Sequence, residues 1–194
     1  PWTGYTNWDK GEPNNHDGKD EDAAFMNYWG HFDLPFPQSE TNIQKHLGKW
    51  YDVGRGMPAW YICEKPGSPE ACEAEGWSSF QGACYMRSHD VKNYDDAALG
   101  CQQFGAQLVS IESAEENAHV LELTERKTCW IGLAEPADSE VWFWANGAKA
   151  GVKGKWSGYT NWNGDEPNNW DGNDEDGAII NLWLHTGMRE PWHE

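Results

Sequence analysis

The sequence predicts an α+β chain: two short helices among compact aromatic strands, with a long acidic loop. Three observations carry this. Two helix starts are plainly written, Asn93 before YDDAALGCQQFG, and Ser113 with Glu116 before a run to about Glu125. Short apolar runs between turn residues, AQLVSI, CWIGL and VWFWANG, read as strands. One acidic, Trp-bearing stretch occurs twice, GYTNWDKGEPNNHDGKDEDAA from Gly4 and GYTNWNGDEPNNWDGNDEDGA from Gly158, an offset of 154, with fifteen of twenty-one positions identical.

The elements follow in order. The acidic stretch comes first, then a long polar segment, then WYDV and AWYICE as strands. EKPGSPE is the best linker candidate, polar and rich in Pro and Gly. In CEAEGWSSFQGACY, Cys72 and Cys84 bracket a hairpin-sized loop, and Trp77, Phe80 and Tyr85 form a small aromatic face. The first helix is capped by Asn93 and stopped by Gly105, and it sets Ala97, Cys101 and Phe104 on one face. The second helix and the strands CWIGL and VWFWANG follow, and from Trp156 the chain turns loop-like and acidic again. The chain therefore reads as the back half of one unit joined to the front and middle of another. A 154-residue offset is far longer than a solenoid repeat and suits whole domains in tandem.

Composition narrows the function classes. The 194 residues carry 32 acidic and 14 basic side chains, a formal charge of −18, so a phosphate backbone is an unsuitable partner. Acidic excess suits solubility and cation binding. Fourteen Trp argue for a folded core rather than a disordered chain. No run of eighteen apolar residues indicates a membrane span. The chain starts at Pro1 and reads as a mature, processed or partial chain. Five cysteines stand at 63, 72, 84, 101 and 129, with no CxxC to favour a zinc or redox site. No nucleophile elbow, phosphate loop or HExxH occurs, so an enzyme is the least supported class.

Taken together, C-x11-C with GW..F.G.CY, DAA..C...GA.LVSI.S..E, WIGL, GYTNW...EPNN, DED, WYD and YICE resemble the C-type lectin-like domain family, in its long form. The resemblance covers nearly the whole chain. It implies two helices flanking small antiparallel sheets, with a long loop that carries calcium and sugar. It implies residues 1–66 as the C-terminal half of one such domain, 67–71 as a linker, and 72–194 as a second domain lacking its last strands. Cys72 and Cys84 are then the hairpin disulfide. Cys101 is the first-helix cysteine and Cys63 the last-strand cysteine, each with a tandem partner expected outside this chain. Cys129 has no counterpart and is read as a buried free thiol.

The loop offers many hard oxygens in few residues, as Ca²⁺ requires. Asp17, Asp20, Glu21 and Asp22 are repeated as Asp171, Asp174, Glu175 and Asp176, and a bound cation would relieve their mutual repulsion. The resemblance implies that Glu12 and Asn14, and Glu166 and Asn168, of the two Glu-Pro-Asn tripeptides bind calcium and two neighbouring sugar hydroxyls, around a cis Pro. It implies mannose, glucose, N-acetylglucosamine or fucose type sugars rather than galactose. Glu21 and Glu175 are preferred over Asp20 and Asp174 as the next ligands, by anchoring on the Glu-Asp pair, with Asp52 of Trp50-Tyr51-Asp52 as a further ligand. Tyr51 replaces an Asn of the family pattern and withdraws one amide oxygen. Asn15, Asp22, Asn169 and Asp176 suit an auxiliary calcium site. Glu135 and Glu140 stand where further ligands often lie, or are surface charge. Trp170, or its counterpart His16, offers a ring to a sugar face, while Trp8 and Trp162 are read as core.

The leading reading is a calcium-dependent binder of glycans, extracellular, secreted or at the cell surface. The alternative is a structural repeat of a filament or multidomain surface protein, assembling with other copies of itself. The out-of-phase ends leave three arrangements open: circular permutation, a filament between chains, or a piece of a tandem array.

Overall fold

The computed structural model describes residues 24–25, 47–136, 139, 141–152, 155–164, 166–168 and 175–180. The strands are β1 (Ala24–Phe25), β2 (Trp50–Val53), β3 (Trp60–Pro66), β4 (Ser78–Phe80), β5 (Ala83–Arg87), β6 (Gln107–Leu108), β7 (Cys129–Ala134), β8 (Val141–Trp144), β9 (Lys149–Val152), β10 (Lys155–Trp156) and β11 (Gly177–Ile180). The helices are α1 (Pro69–Ala74), α2 (Tyr94–Gln102) and α3 (Ala114–Thr124).

Both predicted helices start where their caps stand. The Asn93 side chain accepts from the Asp96 N–H at 2.9 Å, and Ser113 Oγ from the Glu116 N–H at 3.1 Å, each satisfying a donor the helix cannot. Glu116 reaches one residue beyond the usual capping box, accepting from the Glu112 N–H at 2.8 Å. Ala97 and Cys101 face the core, as their spacing predicts. Phe104 does not: α2 ends at Gln102, so Phe104 is 49 % exposed and rests edge-on against Trp77, centroids 6.0 Å apart.

The segment expected as a linker is largely regular. β3 runs to Pro66 and α1 begins at Pro69, capped by Ser68, so only Gly67 and Ser68 stand between elements. Gly67 must lack a side chain, since a Cβ there would meet Cys84 Sγ at 2.4 Å.

The sheet runs β1-β2-β11-β7-β3-β5-β4, with β8, β9 and β10 continuing from β7. Strands from the first third of the chain sit inside it. β2 pairs antiparallel with β11, and β3 lies parallel to β7 and antiparallel to β5. The two disulfides are Cys63–Cys101 and Cys72–Cys84. Cys63 and Cys101 bind each other within the chain, the link that the permuted arrangement expects, rather than tandem partners outside it, because β3 packs on the same front half that carries α2. Cys129 is a free, buried thiol, and burial pushes its pKa up.

Tryptophan fills the core under the acidic loop. Trp50, Trp130, Trp142 and Trp162 are fully buried. Trp162 meets Trp142 edge-on at 5.1 Å and Trp50 at 5.9 Å, a favoured aromatic geometry.

Candidate functional site

The site grows from the ends of β2 and β11 and from the loop between β10 and β11. Trp50 donates its N–H to the Asn161 carbonyl at 2.8 Å and accepts at its own carbonyl from the Asn163 N–H at 2.6 Å, so the loop runs alongside β2. Glu166 N–H then donates to the Asn163 carbonyl at 3.0 Å. Gly48 is clamped from two sides, its carbonyl accepting from Asn161 Nδ2 and, at 3.1 Å, from Asn117 Nδ2 of α3. Asn117 Oδ1 accepts from the Trp50 indole at 2.8 Å. These buried amides are braces: they satisfy backbone groups that a non-regular loop would otherwise leave unpaired.

The braces lead into Glu166, Pro167 and Asn168, and Asn168 meets Asp52. The Glu166–Pro167 peptide is cis. Asp52 Oδ2 accepts from the Asn168 N–H, and Asp52, Glu166 and Asn168 are all buried, at 3 %, 6 % and 5 % exposure. Asn168 Oδ1 is buried with no hydrogen-bond partner. Ala178 lies opposite Asp52 in the sheet, which brings Glu175 and Asp176 to the same end of β2. The Glu135 N–H donates to the Asp176 carbonyl at 3.0 Å, so buried Glu135 flanks this end as well.

Tyr51 points away from this corner. Side chains alternate along a strand, and Tyr51 is 1 % exposed, in the core, while Asp52 turns to the loop. Among the described residues no three His, Cys, Asp or Glu side chains converge as a metal-holding group. Asp52 and Asn168 are in contact through the Asn168 N–H, and Glu166 is buried two residues before Asn168, across the cis peptide. Carboxylate and amide oxygens are the donors a hard cation takes, and a buried amide oxygen without a hydrogen bond, as at Asn168, is costly unless a cation or donor meets it.

A profile of the Lectin C-type domain matches residues 90–190, just over half of the chain. The chain belongs to the C-type lectin domain family. It is 37 % identical over 121 residues to C-type lectin lectoxin-Lio1 of Erythrolamprus poecilogyrus, covering 59 % of this chain and 68 % of that protein. It is 35 % identical over 114 residues to a perlucin-like protein of Mytilus galloprovincialis, covering 56 % and 67 %. It is 38 % identical over 104 residues to C-type lectin domain family 4 member M of Symphalangus syndactylus, covering 53 % of this chain and 23 % of that one. The chain thus spans about two thirds of the first two relatives and under a quarter of the third. No solved structure matches. The α+β architecture, with two disulfides and helices against a mixed sheet, is that of a C-type lectin domain. The matched segment excludes residues 50–66, yet in this C-type lectin domain those residues are two strands of the same sheet.

Of the residues the sequence singled out, Asp52 accepts from the Asn168 N–H, Glu166 is buried two residues before Asn168, and Glu175 and Asp176 directly precede β11. Asp52, given by the sequence as a further ligand without a choice of copy, touches Asn168 of the second copy. Glu12, Asn14, Asn15, His16, Asp17, Asp20, Glu21, Asp22, Glu140, Asn169, Trp170, Asp171 and Asp174 lie outside the described residues. Sequence reasoning missed the side-chain braces Asn117 and Asn161. A signal was there in Asn161, an amide beside the core tryptophan Trp162.

It also missed a carboxylate cluster beside α3. Glu64 Oε2 accepts from the Ser110 N–H at 2.8 Å and Oε1 from Gln107 at 3.2 Å, while Glu116 accepts from the Tyr85 hydroxyl at 2.7 Å. Burial pushes the Glu64 carboxyl up to about 7, and the neighbouring Glu116 and Glu112 charges push the same way.

Proposed function

We propose that this chain is a calcium-dependent carbohydrate-binding unit whose site is Glu166, Asn168 and Asp52, with Glu175 and Asp176 completing the carboxylate set. The observation that carries it is the contact of Asp52 with the Asn168 N–H, which leaves the Asn168 amide oxygen buried and open to a cation. When bound, calcium supplies Lewis-acid ligation of two neighbouring sugar hydroxyls. The protein's own part is orientation. The Asn168 backbone is held by Asp52, the Glu166 backbone by Asn163, and residues 161–163 by the core around Trp162.

The order of groups sets the sugar class. Glu166 only accepts, and Asn168 can donate through Nδ2. Acceptor then donor suits the mannose, glucose, N-acetylglucosamine and fucose type, and Trp170 offers a ring for the apolar sugar face. Glu12, Asn14, Glu21 and Asp22 belong to a second site of the same kind in the first copy. Relatives named as C-type lectins support a binding role rather than catalysis. Two disulfides suit an extracellular or cell-surface setting.

The domain arrangement follows from the same reading. Residues 72–180 form the front and loop of one lectin unit, and residues 47–66 close it from upstream. A structural, self-assembling role stands as the second reading, favoured by one observation: β2 is flanked by strands from both repeat copies.

Thermal melting tests the metal. Calcium at about a hundred times its Kd should add about 2.7 kcal/mol, several degrees for a chain of this size. Superimposable melts in calcium and chelator, across millimolar calcium, would remove the metal from the account.

A further inference from the structure

We propose that β1 and β11 are alternative occupants of one slot between β7 and β2, and that a second copy of this chain supplies the exchanged strand. On one edge of β2, Ala24 stands opposite Asp52 and Phe25 opposite Tyr51. On its other edge, Ala178 stands opposite Asp52 and Ile179 opposite Tyr51. Ala24 and Ala178, and Phe25 and Ile179, are counterparts at the 154-residue offset. The same element, written twice, therefore pairs antiparallel with the same strand in the same register. Register is a demanding match, since a slip of one residue turns every side chain to the other face.

The two places are not equal. β11 has four residues and two partners, β2 and β7, with Ile180 opposite Cys129, Ile179 opposite Trp130 and Ala178 opposite Ile131. β1, described over two residues, pairs with β2 and with no other described strand. Among the described residues, one β2 and one β7 thus stand with two copies of the strand that fits between them. Gly177 accounts for which copy is inside. A Cβ there would meet Trp130 Cζ3 at 2.9 Å and Tyr94 Cδ2 at 3.0 Å, and the first copy carries Ala23 at that position. The other replacements are mild: Ala24 for Ala178, Phe25 for Ile179 and Met26 for Ile180 keep the slot apolar. The copy left on the edge is a donor for a neighbour's slot, the route by which identical elements exchange between protomers.

The free thiol of Cys129 makes the exchange readable. Met26 is the counterpart of Ile180, so in an exchanged pair Met26→Cys stands opposite Cys129 of the other chain, within disulfide reach. Without exchange, β2 and β11 separate β1 from β7, a gap of roughly 14 Å. The full chain carrying Met26→Cys is refolded in a glutathione buffer over a range of concentrations and read by non-reducing electrophoresis and peptide mapping. Expected is a chain-to-chain 26–129 disulfide that grows with concentration, disappears with Cys129→Ser, and rises several-fold when Gly177→Ala evens the two copies. Ile180→Cys serves as the control for folding and geometry, closing onto Cys129 within its own chain. A monomeric Met26→Cys chain with Cys129 free, beside a closed Ile180→Cys control, overturns the proposal. So does a 26–129 link found only within one chain. Neither result bears on calcium, so the sugar-site reading stands or falls separately.

Discussion

Asp52 and Asn168, 116 residues apart, meet at the rim of the sheet, where the Asp52 carboxylate accepts from the Asn168 backbone N–H. That hydrogen bond fixes the loop backbone, and the proposed calcium site asks a second role of the same carboxylate. The two roles separate under substitution. Asp52→Ala should remove both, costing roughly 1–3 kcal/mol of stability as a buried donor loses its partner, and it should abolish calcium binding. Asp52→Asn keeps an acceptor and loses the charge, so the melt in chelator should stay near wild type while the calcium-induced rise shrinks. Equal loss by both variants in chelator would show that the charge, not the hydrogen bond, holds the loop.

Glu64 should make stability fall with rising pH. Its folded pKa, about 7, lies above the ordinary carboxylate value of 4.5, so between those limits the folded state holds more protons than the unfolded. The group's effect is most favourable below about pH 4.5, is lost as pH rises through about 7, and is flat beyond. Glu64→Gln should therefore flatten denaturant-derived stability between pH 5 and pH 8. An unchanged slope in the variant would place the pH dependence elsewhere.

The two disulfides should differ in worth. Cys63–Cys101 closes a separation of 38 residues and Cys72–Cys84 one of 12. Chain-entropy arguments give about 4 and about 3 kcal/mol respectively. Paired Cys→Ala replacements measured by urea unfolding should keep that order. A larger loss at Cys72–Cys84 would mean that residues 60–66 contribute little to the folded sheet.

Gly132→Ala should be among the most damaging small changes. A Cβ there would meet the Leu108 carbonyl at 2.6 Å, Ala145 Cβ at 2.7 Å and the Val109 carbonyl at 2.9 Å, and two of these are backbone. Gly132 also exchanges hydrogen bonds with Val109 and Ala145 at 2.7 and 2.6 Å. The change should lower stability by roughly 1–3 kcal/mol, seen in thermal melts. A neutral result would require β6 and β7 to separate without cost.

Much of this was legible in the sequence because the signals are local. Asn93 and Ser113 cap helices within three residues, and CWIGL, VWFW and WYDV carry their strand character in their own composition. What was not legible depends on distance along the chain. That Cys63 meets Cys101, or that Asp52 meets the second acidic loop, follows from which front half β2 and β3 pack against, and two loops alike at fifteen of twenty-one positions give a sequence no means of choosing. Phe104 failed for a smaller reason: α2 stops two residues short of it, and helical spacing predicts a face only while the helix lasts. The amide braces at Asn117 and Asn161 were invisible because a buried amide and an exposed one look alike in sequence.

The central claim is that Glu166, Asn168 and Asp52 form one calcium-dependent sugar site, and competition binding on immobilised mannose tests it most directly. The full chain should bind in millimolar calcium, release in chelator, and be displaced by free mannose but not by galactose. Asp52→Ala should abolish retention, and Glu166→Gln combined with Asn168→Asp should turn the preference toward galactose. Retention that persists in chelator, or that survives Asp52→Ala with calcium present, would contradict the account.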